Sequence, residues 1–198
     1  MNNFILHSGG AIGSDRAWDQ IGQKAGLLPD NINHYYLNTK TPFGNFEINT
    51  ADFIEGKAMV KKANSILHRR PDNYMNLLAR NWCQIKYSEA TFAIANSLDL
   101  NTNIVGGGTG WAVAMSIIVE HPTYVFNQSD SKWYFFSSAS KHFIECDTPS
   151  LTKNFAGIGT REIQSNGQFA IVDCYSKTIH DIKMINGKIK IEEHENTI

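Results

Sequence analysis

Glycine and small hydroxyl residues cluster in three stretches of the chain, and the chemistry they share is phosphate binding. The central stretch is Val105-Gly106-Gly107-Gly108-Thr109-Gly110-Trp111. The others are His7-Ser8-Gly9-Gly10-Ala11-Ile12-Gly13-Ser14-Asp15 and Phe155-Ala156-Gly157-Ile158-Gly159-Thr160-Arg161-Glu162. Glycine lets the backbone approach a bound group, and free N–H groups at a helix N-terminus favour an anion. One such loop is often an ordinary tight turn, but three together favour phosphate or nucleotide binding.

The predicted ligand contacts are the glycines and hydroxyl residues of these stretches, which offer backbone amides and side-chain donors: Ser8, Gly9, Gly10, Gly106, Gly107, Gly108, Thr109, Gly110, Gly157, Gly159 and Thr160. Arg161 and Arg80 are candidate phosphate clamps, and a surface role is the alternative for each. Asp15 can accept a hydrogen bond from a ribose hydroxyl or cap the helix that follows. Neither the P-loop lysine nor the spaced Rossmann glycines are present, which disfavours a nucleoside-triphosphate motor and a hydride-transfer enzyme.

Short apolar runs alternate with helical patterns, and this alternation predicts the fold that positions the loops. The predicted strands are residues 4–6, 35–37, 91–95 and 122–126. Such β-loop-α-β units build parallel sheets with sites at the carboxyl ends of the strands. We therefore expect an α/β fold, a Rossmann-like parallel sheet flanked by helices, in a single domain over residues 1–198.

Two β-hairpins are predicted as additions to this sheet. One lies within residues 132–145, where two aromatic-rich runs flank a serine-rich turn. The other lies within residues 182–192, where Asn186-Gly187 separates two alternating runs. Between them, a helix is expected from about residue 161 to residue 178.

Composition narrows the classes of partner. A formal net charge of -1 and a pI near 6.6 give no support for a nucleic-acid or membrane-surface binder. Three scattered cysteines favour neither a disulfide framework nor a zinc cluster, and the histidines lack metal-ligand spacing. With no apolar leader and no bilayer-length apolar run, we expect a reduced, cytoplasmic protein that needs no metal and no cofactor.

Together, the three glycine stretches resemble the SLOG superfamily, which joins the Smf/DprA proteins, the Lonely-Guy-type phosphoribohydrolases and many small Rossmann-like proteins. The resemblance extends from His7 to about Cys174, and only the loops are specific. It implies a ligand such as a nucleotide, ADP-ribose or another NAD-derived molecule. Some relatives hydrolyse an N-glycosidic bond, others only bind, and one branch senses cyclic ADP-ribose-type signals in bacterial antiviral defence. Relatives often dimerise, which implies a homo-oligomer with contacts from the 132–145 hairpin or the helix around Trp82.

The third stretch departs from the hydrolase pattern of the family, which resembles Pro-Gly-Gly-x-Gly-Thr-x-x-Glu. Phe155-Ala156-Gly157 stands where that pattern has Pro-Gly-Gly. The pattern places its glutamate three residues after the threonine, whereas in this chain that position is Ile163 and Glu162 lies only two residues after Thr160. One residue on a helix is a rotation of about 100°, so Glu162 is expected to stabilise the helix N-terminus instead of acting in catalysis.

The first hypothesis is therefore a binding protein for an ADP-ribose-like or cyclic NAD-derived ligand, acting as a sensor or a sequestering sponge. Phosphates would contact residues 106–110 and 157–160, with residues 8–10 beside the ribose. The alternative is an N-glycosidic hydrolase acting on nucleoside monophosphates, in which Glu162 and Arg161 would be catalytic. A DprA-like nucleic-acid protein is disfavoured by the near-neutral charge.

Overall fold

The computed structural model describes residues 1, 3–37, 44–71 and 74–195, with side chains described up to residue 185. Its strands are β1 (Ile5–Ser8), β2 (Ile32–Tyr36), β3 (Phe46–Glu47), β4 (Ala90–Ala95), β5 (Leu98–Asp99), β6 (Ile104–Val105), β7 (Thr123–Asn127), β8 (Lys132–Ser137), β9 (His142–Cys146) and β10 (Asn154–Gly159). Its helices are α1 (Ser14–Lys24), α2 (Thr50–Leu67), α3 (Met75–Lys86), α4 (Thr109–Ile118) and α5 (Ser165–Glu195).

Eight of these strands form one sheet in the order β3-β2-β1-β10-β4-β7-β8-β9. The pairs from β3 through β7 are parallel, whereas β8 and β9 are antiparallel. The chain passes from β1 to β2 in one direction along the sheet and from β4 to β7 in the other. This reversal leaves a crevice at the carboxyl ends of the central strands, where β10 lies between β1 and β4. The predicted α/β, Rossmann-like fold is confirmed.

Helices cover both faces of the sheet, and β4 is buried along its whole length. Side chains of successive strand residues point to opposite faces. Ala93 and Ala95 accordingly join the core beneath α2, α3 and α4. Phe92 and Ile94 join the core beneath α1 and α5. The completely buried Trp18 of α1 packs within this second core against the ring of Phe92 and so fixes α1 on the sheet.

The predicted hairpin within residues 132–145 is confirmed at the edge of the sheet. Strands β8 and β9 pair antiparallel, with Tyr134 beside Glu145 and Phe136 beside Phe143. The polar segment over residues 38–49 is only partly described: β3 lies inside it and pairs with β2, while residues 38–43 lie outside the described residues. Among the described residues, no helix combines the length and apolar character needed to cross a membrane.

The predicted hairpin within residues 182–192 is wrong, because α5 continues through this segment. The helix also begins at Ser165, later than the predicted residue 161. A glycine inside a helix costs only about 1 kcal/mol relative to alanine, and an already formed helix propagates readily. The first half of α5 is fixed on the sheet by completely buried Ile171 and Cys174, and Thr178 Oγ1 accepts a 2.8 Å hydrogen bond from Leu151 N. This tertiary anchoring outweighs the local turn signal of Asn186-Gly187.

Candidate functional site

A cavity of about 850 Å³ opens at the carboxyl edge of the sheet, where the chain leaves β1, β10 and β4. This is the edge at which the glycine stretches were predicted to converge. Its lining comprises Ala11, Asp15, Arg69, Arg70, Tyr74, Leu77, Leu78, Arg80, Asn81, Gln84, Asn96, Ser97, Gly106, Gly107, Gly108, Thr109, Trp111, Ala112, Ile158, Gly159, Thr160, Arg161 and Glu162. The cavity thus brings together residues from all three stretches.

The central glycine stretch forms an open backbone cradle at the start of α4. Strands β5 and β6 pair as a two-stranded hairpin, and Gly106 N donates a 3.0 Å hydrogen bond to Ser97 O beneath it. Gly107 has φ +63° and Gly108 is the N-cap of α4. A Cβ atom at either glycine would meet nothing within 4 Å. The N–H groups of the first helical turn lack intrahelical partners, so this backbone can receive an anion.

Arg69 secures the cradle from the end of α2, a role that the sequence analysis did not anticipate. Its Nη1 donates to Gly107 O at 2.9 Å and its Nη2 to Val105 O at 3.0 Å. Gly110, a predicted ligand contact, does not line the cavity. A Cβ atom there would collide with Val105 O and approach Arg69 Nη1. Gly110 therefore permits the close contact between α4 and β6.

Positive charge is concentrated around the cavity. Four of the chain's five arginines, Arg69, Arg70, Arg80 and Arg161, line it, whereas no described lysine does. The carboxylates in the lining are Asp15 and Glu162. A chain of formal net charge -1 thus presents an excess of guanidinium groups at one place. Guanidinium groups are suited to phosphate and carboxylate because their donors match the oxygens of these anions in pairs.

Arg80 projects from α3 toward the first glycine stretch. Its Nε is buried and has no hydrogen-bond partner within the described part of the chain. Burial lowers the pKa of its guanidinium, the Asp15 carboxylate opposes that shift, and the like charge of Arg161 adds to it. An anion held between Arg80 and Arg161 would offset both the repulsion and the desolvation.

Asp15 lies in the first turn of α1 and is only 6% exposed. Its Oδ2 accepts a 3.3 Å hydrogen bond from Ala11 N. Burial raises the pKa of its carboxyl group, an effect that Arg80 opposes. The capping alternative for Asp15 is not seen, because the N-cap of α1 is Gly13. Asp15 instead lines the cavity.

The other predicted contacts of the first stretch lie behind the cavity wall. Ser8 is completely buried at the end of β1, and neither Ser8 nor Gly10 lines the cavity. At Gly9, a Cβ atom would be 2.6 Å from Arg80 Nη2 and 2.8 Å from Asp15 Oδ2. Gly9 therefore makes room for these two side chains, and the prediction that it contacts the ligand is not supported.

The third stretch is divided between the sheet and the cavity. Gly157 lies inside β10, where a Cβ atom would be 2.7 Å from both Leu6 Cδ1 and Trp18 Cγ. Gly157 packs against these side chains and does not line the cavity, so the structure gives its predicted ligand contact no support. Gly159 and Thr160 do line the cavity, and Thr160 N donates to Ile94 O at 2.9 Å, which holds the loop against β4.

Arg161 and Glu162 lie in this loop, ahead of α5. The expectation that Glu162 occupies the helix start is therefore wrong, and the rotation inferred for it does not apply. Glu162 is exposed at the cavity, where its Oε2 accepts a 3.5 Å hydrogen bond from Asn96 Nδ2. Arg161 is also exposed and stays available to a ligand.

Gln128, which the sequence analysis missed, joins the loops that follow β4, β7 and β10. It is 3% exposed and donates from Nε2 to Asn96 Oδ1 at 2.6 Å and to Glu162 O at 3.3 Å. Its Oε1 accepts from Gln164 N at 2.6 Å. The sequence feature that could have identified Gln128 is its position as a polar residue directly after a buried parallel strand. Asn96 has the same position after β4.

Comparison of the chain with protein families, with curated proteins and with solved structures finds no match. The chemistry of the cavity is consequently inferred from its own residues. Within the described residues, no group of three or more histidine, cysteine, aspartate or glutamate side chains could hold a metal ion. The prominent groups are backbone amides and guanidinium ions, both of which bind anionic oxygen.

Proposed function

We propose that the protein binds a phosphorylated nucleoside ligand of the ADP-ribose-like or cyclic NAD-derived kind in this cavity. The observation that carries the proposal is the cradle at Gly107 and Gly108, whose exposed backbone faces a cavity lined by four arginines. One phosphate would accept hydrogen bonds from the first turn of α4, which contains no acidic residue to repel it.

Two separate anion positions favour a diphosphate or phosphoribosyl compound over a simple anion. The first is the cradle, which follows β6. The second is the pair Arg80 and Arg161, which lies toward β1 and β10. Asp15 lies beside Arg80 and supplies an acceptor for a ribose hydroxyl. The volume of about 850 Å³ falls within the usual range of roughly 300–1,000 Å³ for small-molecule sites, which leaves room for more than a mononucleotide.

The SLOG resemblance extends the proposal to a biological setting. The resemblance rests on three loops, and the cavity lining includes residues of each: Ala11 and Asp15 of the first, residues 106–109 of the second and residues 159–162 of the third. This agrees with a ligand held at these loops. In that setting the protein would sense or sequester a nucleotide signal in antiviral defence.

An N-glycosidic hydrolase is the second candidate, because Glu162 lies at the cavity with one oxygen hydrogen-bonded to Asn96. In this role Glu162 would activate water or stabilise the developing charge on the ribose. Its high exposure weighs against it, since catalytic carboxylates work best where water is excluded.

One experiment distinguishes the two candidates. The protein is incubated with AMP, ADP-ribose, NAD and cyclic ADP-ribose isomers, separated from free ligand and denatured, and the released compounds are identified by mass spectrometry. Unchanged ligand in stoichiometric amount supports the binding protein, whereas accumulating free base supports the hydrolase. Retention of none of these compounds would overturn the proposal.

Variants at Glu162 refine the result. Glu162→Gln keeps the shape of the side chain and should retain binding, since no phosphate is assigned to that group. Glu120→Gln is the control, because Glu120 is also exposed and does not line the cavity. Loss of ligand in Glu162→Gln alone would show that Glu162 contacts the ligand directly.

A further inference from the structure

One wall of the cavity is apolar and comes from the start of α3. Tyr74, directly before α3, is 63% exposed, and Leu77, one turn later, is 39% exposed. Both line the cavity. Within the described part of the chain, the Tyr74 ring has no aromatic partner and its hydroxyl group no hydrogen bond. By contrast, Tyr35, Tyr134 and Tyr175 all have buried rings and hydrogen-bonded hydroxyl groups.

This apolar wall shares the cavity with the phosphate cradle. Arg69, which follows α2, is hydrogen-bonded to Val105 O and Gly107 O of the cradle. Arg70 and Tyr74 follow it and line the same cavity. The lining also includes the buried apolar side chains of Leu78 and Trp111. The cavity therefore combines an anion-binding side with an unpartnered aromatic side.

We infer that Tyr74 and Leu77 form the subsite for the nucleobase of the ligand, with the base stacked on the Tyr74 ring. This inference rests on the proposed function, because the phosphate in the cradle is what brings a nucleoside into the cavity. A flat heterocycle fits an exposed phenol ring that shares a cavity with phosphate donors. Stacking on an aromatic side chain tolerates any base, because every base has a π-face.

Trp111 does not take this role. It is only 5% exposed, and it belongs to the core cluster beneath α2, α3 and α4. Tyr74 is the aromatic residue of the described lining with an accessible ring. Its exposure also means that truncation should leave folding intact, since little of the side chain is buried.

The test compares a base-containing probe with a base-free one. Isothermal titration measures ADP and inorganic pyrophosphate binding to the wild type, Tyr74→Ala, Tyr74→Phe and Ile54→Ala. Ile54 is the matched control, because it is also 63% exposed and lies outside the cavity lining. We expect Tyr74→Ala to weaken ADP binding roughly 5- to 150-fold, the range typical for loss of one stacked base, and to leave pyrophosphate binding unchanged. Tyr74→Phe and Ile54→Ala should both bind ADP like the wild type.

Other results would overturn the inference in distinguishable ways. If Tyr74→Ala changes neither probe, or weakens both equally, the base lies elsewhere while the phosphate site stands. If the wild type binds pyrophosphate as tightly as ADP, no base subsite exists. If neither probe binds the wild type, the proposed function fails together with the inference.

Discussion

Replacement of Arg69 by alanine should loosen the phosphate cradle. Its guanidinium donates two hydrogen bonds to backbone carbonyls, to Val105 O in half-buried surroundings and to Gly107 O at the surface. Hydrogen bonds of charged groups contribute about 1.5–3 kcal/mol each, and surface exposure reduces that, so we expect a loss of about 2 kcal/mol for the pair. At about 2–4 °C per kcal/mol for a chain of this size, Tm should fall by about 4–8 °C.

Arg70→Ala is the matched control, because Arg70 also lines the cavity but makes no hydrogen bond within the described part of the chain. Thermal unfolding and titration with ADP-ribose are measured for both variants. Both should bind the ligand more weakly, since each removes a positive charge, but only Arg69→Ala should lower Tm. Equal Tm values for the two variants would refute the anchoring role of Arg69.

Two further predictions concern the fold that supports the site. Gly110→Ala should destabilise the protein by about 1–3 kcal/mol, because the new methyl group meets Val105 O, whereas Gly108→Ala should unfold like the wild type; chemical denaturation of the pair checks this. Burial lowers the pKa of His7 to about 4. In the unfolded chain, His7 binds its proton near pH 6.5, whereas in the folded chain it does so only near pH 4. The free energy of unfolding should therefore fall by up to about 3 kcal/mol as the pH drops from about 6.5 to about 4. His7→Gln should remove that part of the pH dependence in denaturant titrations at pH 4 to 7, and an unchanged slope would contradict it.

Local patterns predicted those parts of the site that depend on local geometry. The cradle at residues 106–109 is such a case, because glycines between a strand and the first turn of a helix leave the backbone N–H groups of that turn accessible. The parallel sheet is another, since apolar runs alternating with helices have few ways to pack. Asp15, Arg80, Thr160 and Arg161 were also predicted and all reach the cavity.

Residues whose role depends on distant partners could not be predicted in the same way. Gly157, Gly110 and Gly108 all lie in glycine-rich stretches and look alike in the sequence. In the structure, however, Trp18 occupies the space beside Gly157 and Val105 the space beside Gly110, whereas the space beside Gly108 is open. Arg69 acts on carbonyls that are far away in the sequence. Only the packing of strands and helices decides which glycine faces a ligand and which faces a neighbour.

The C-terminal helix illustrates the same limit for secondary structure. Asn186-Gly187 is a strong two-residue turn signal, and the signal is purely local. The buried first half of α5 provides a formed helix that extends through it. The delayed start of α5 at Ser165 has a tertiary cause as well, because Gln128 holds Gln164 N and Glu162 O in the loop before it.

The phosphate cradle is tested most directly by Gly108→Val. Gly108 has φ -66° and open space around it, so valine fits the backbone and only fills the place assigned to the phosphate. The affinity for ADP-ribose and the Tm are measured for the wild type and for the variant. We predict stoichiometric binding to the wild type, loss of that binding in the variant and an unchanged Tm. Wild-type affinity in a folded Gly108→Val protein would contradict phosphate binding at the start of α4.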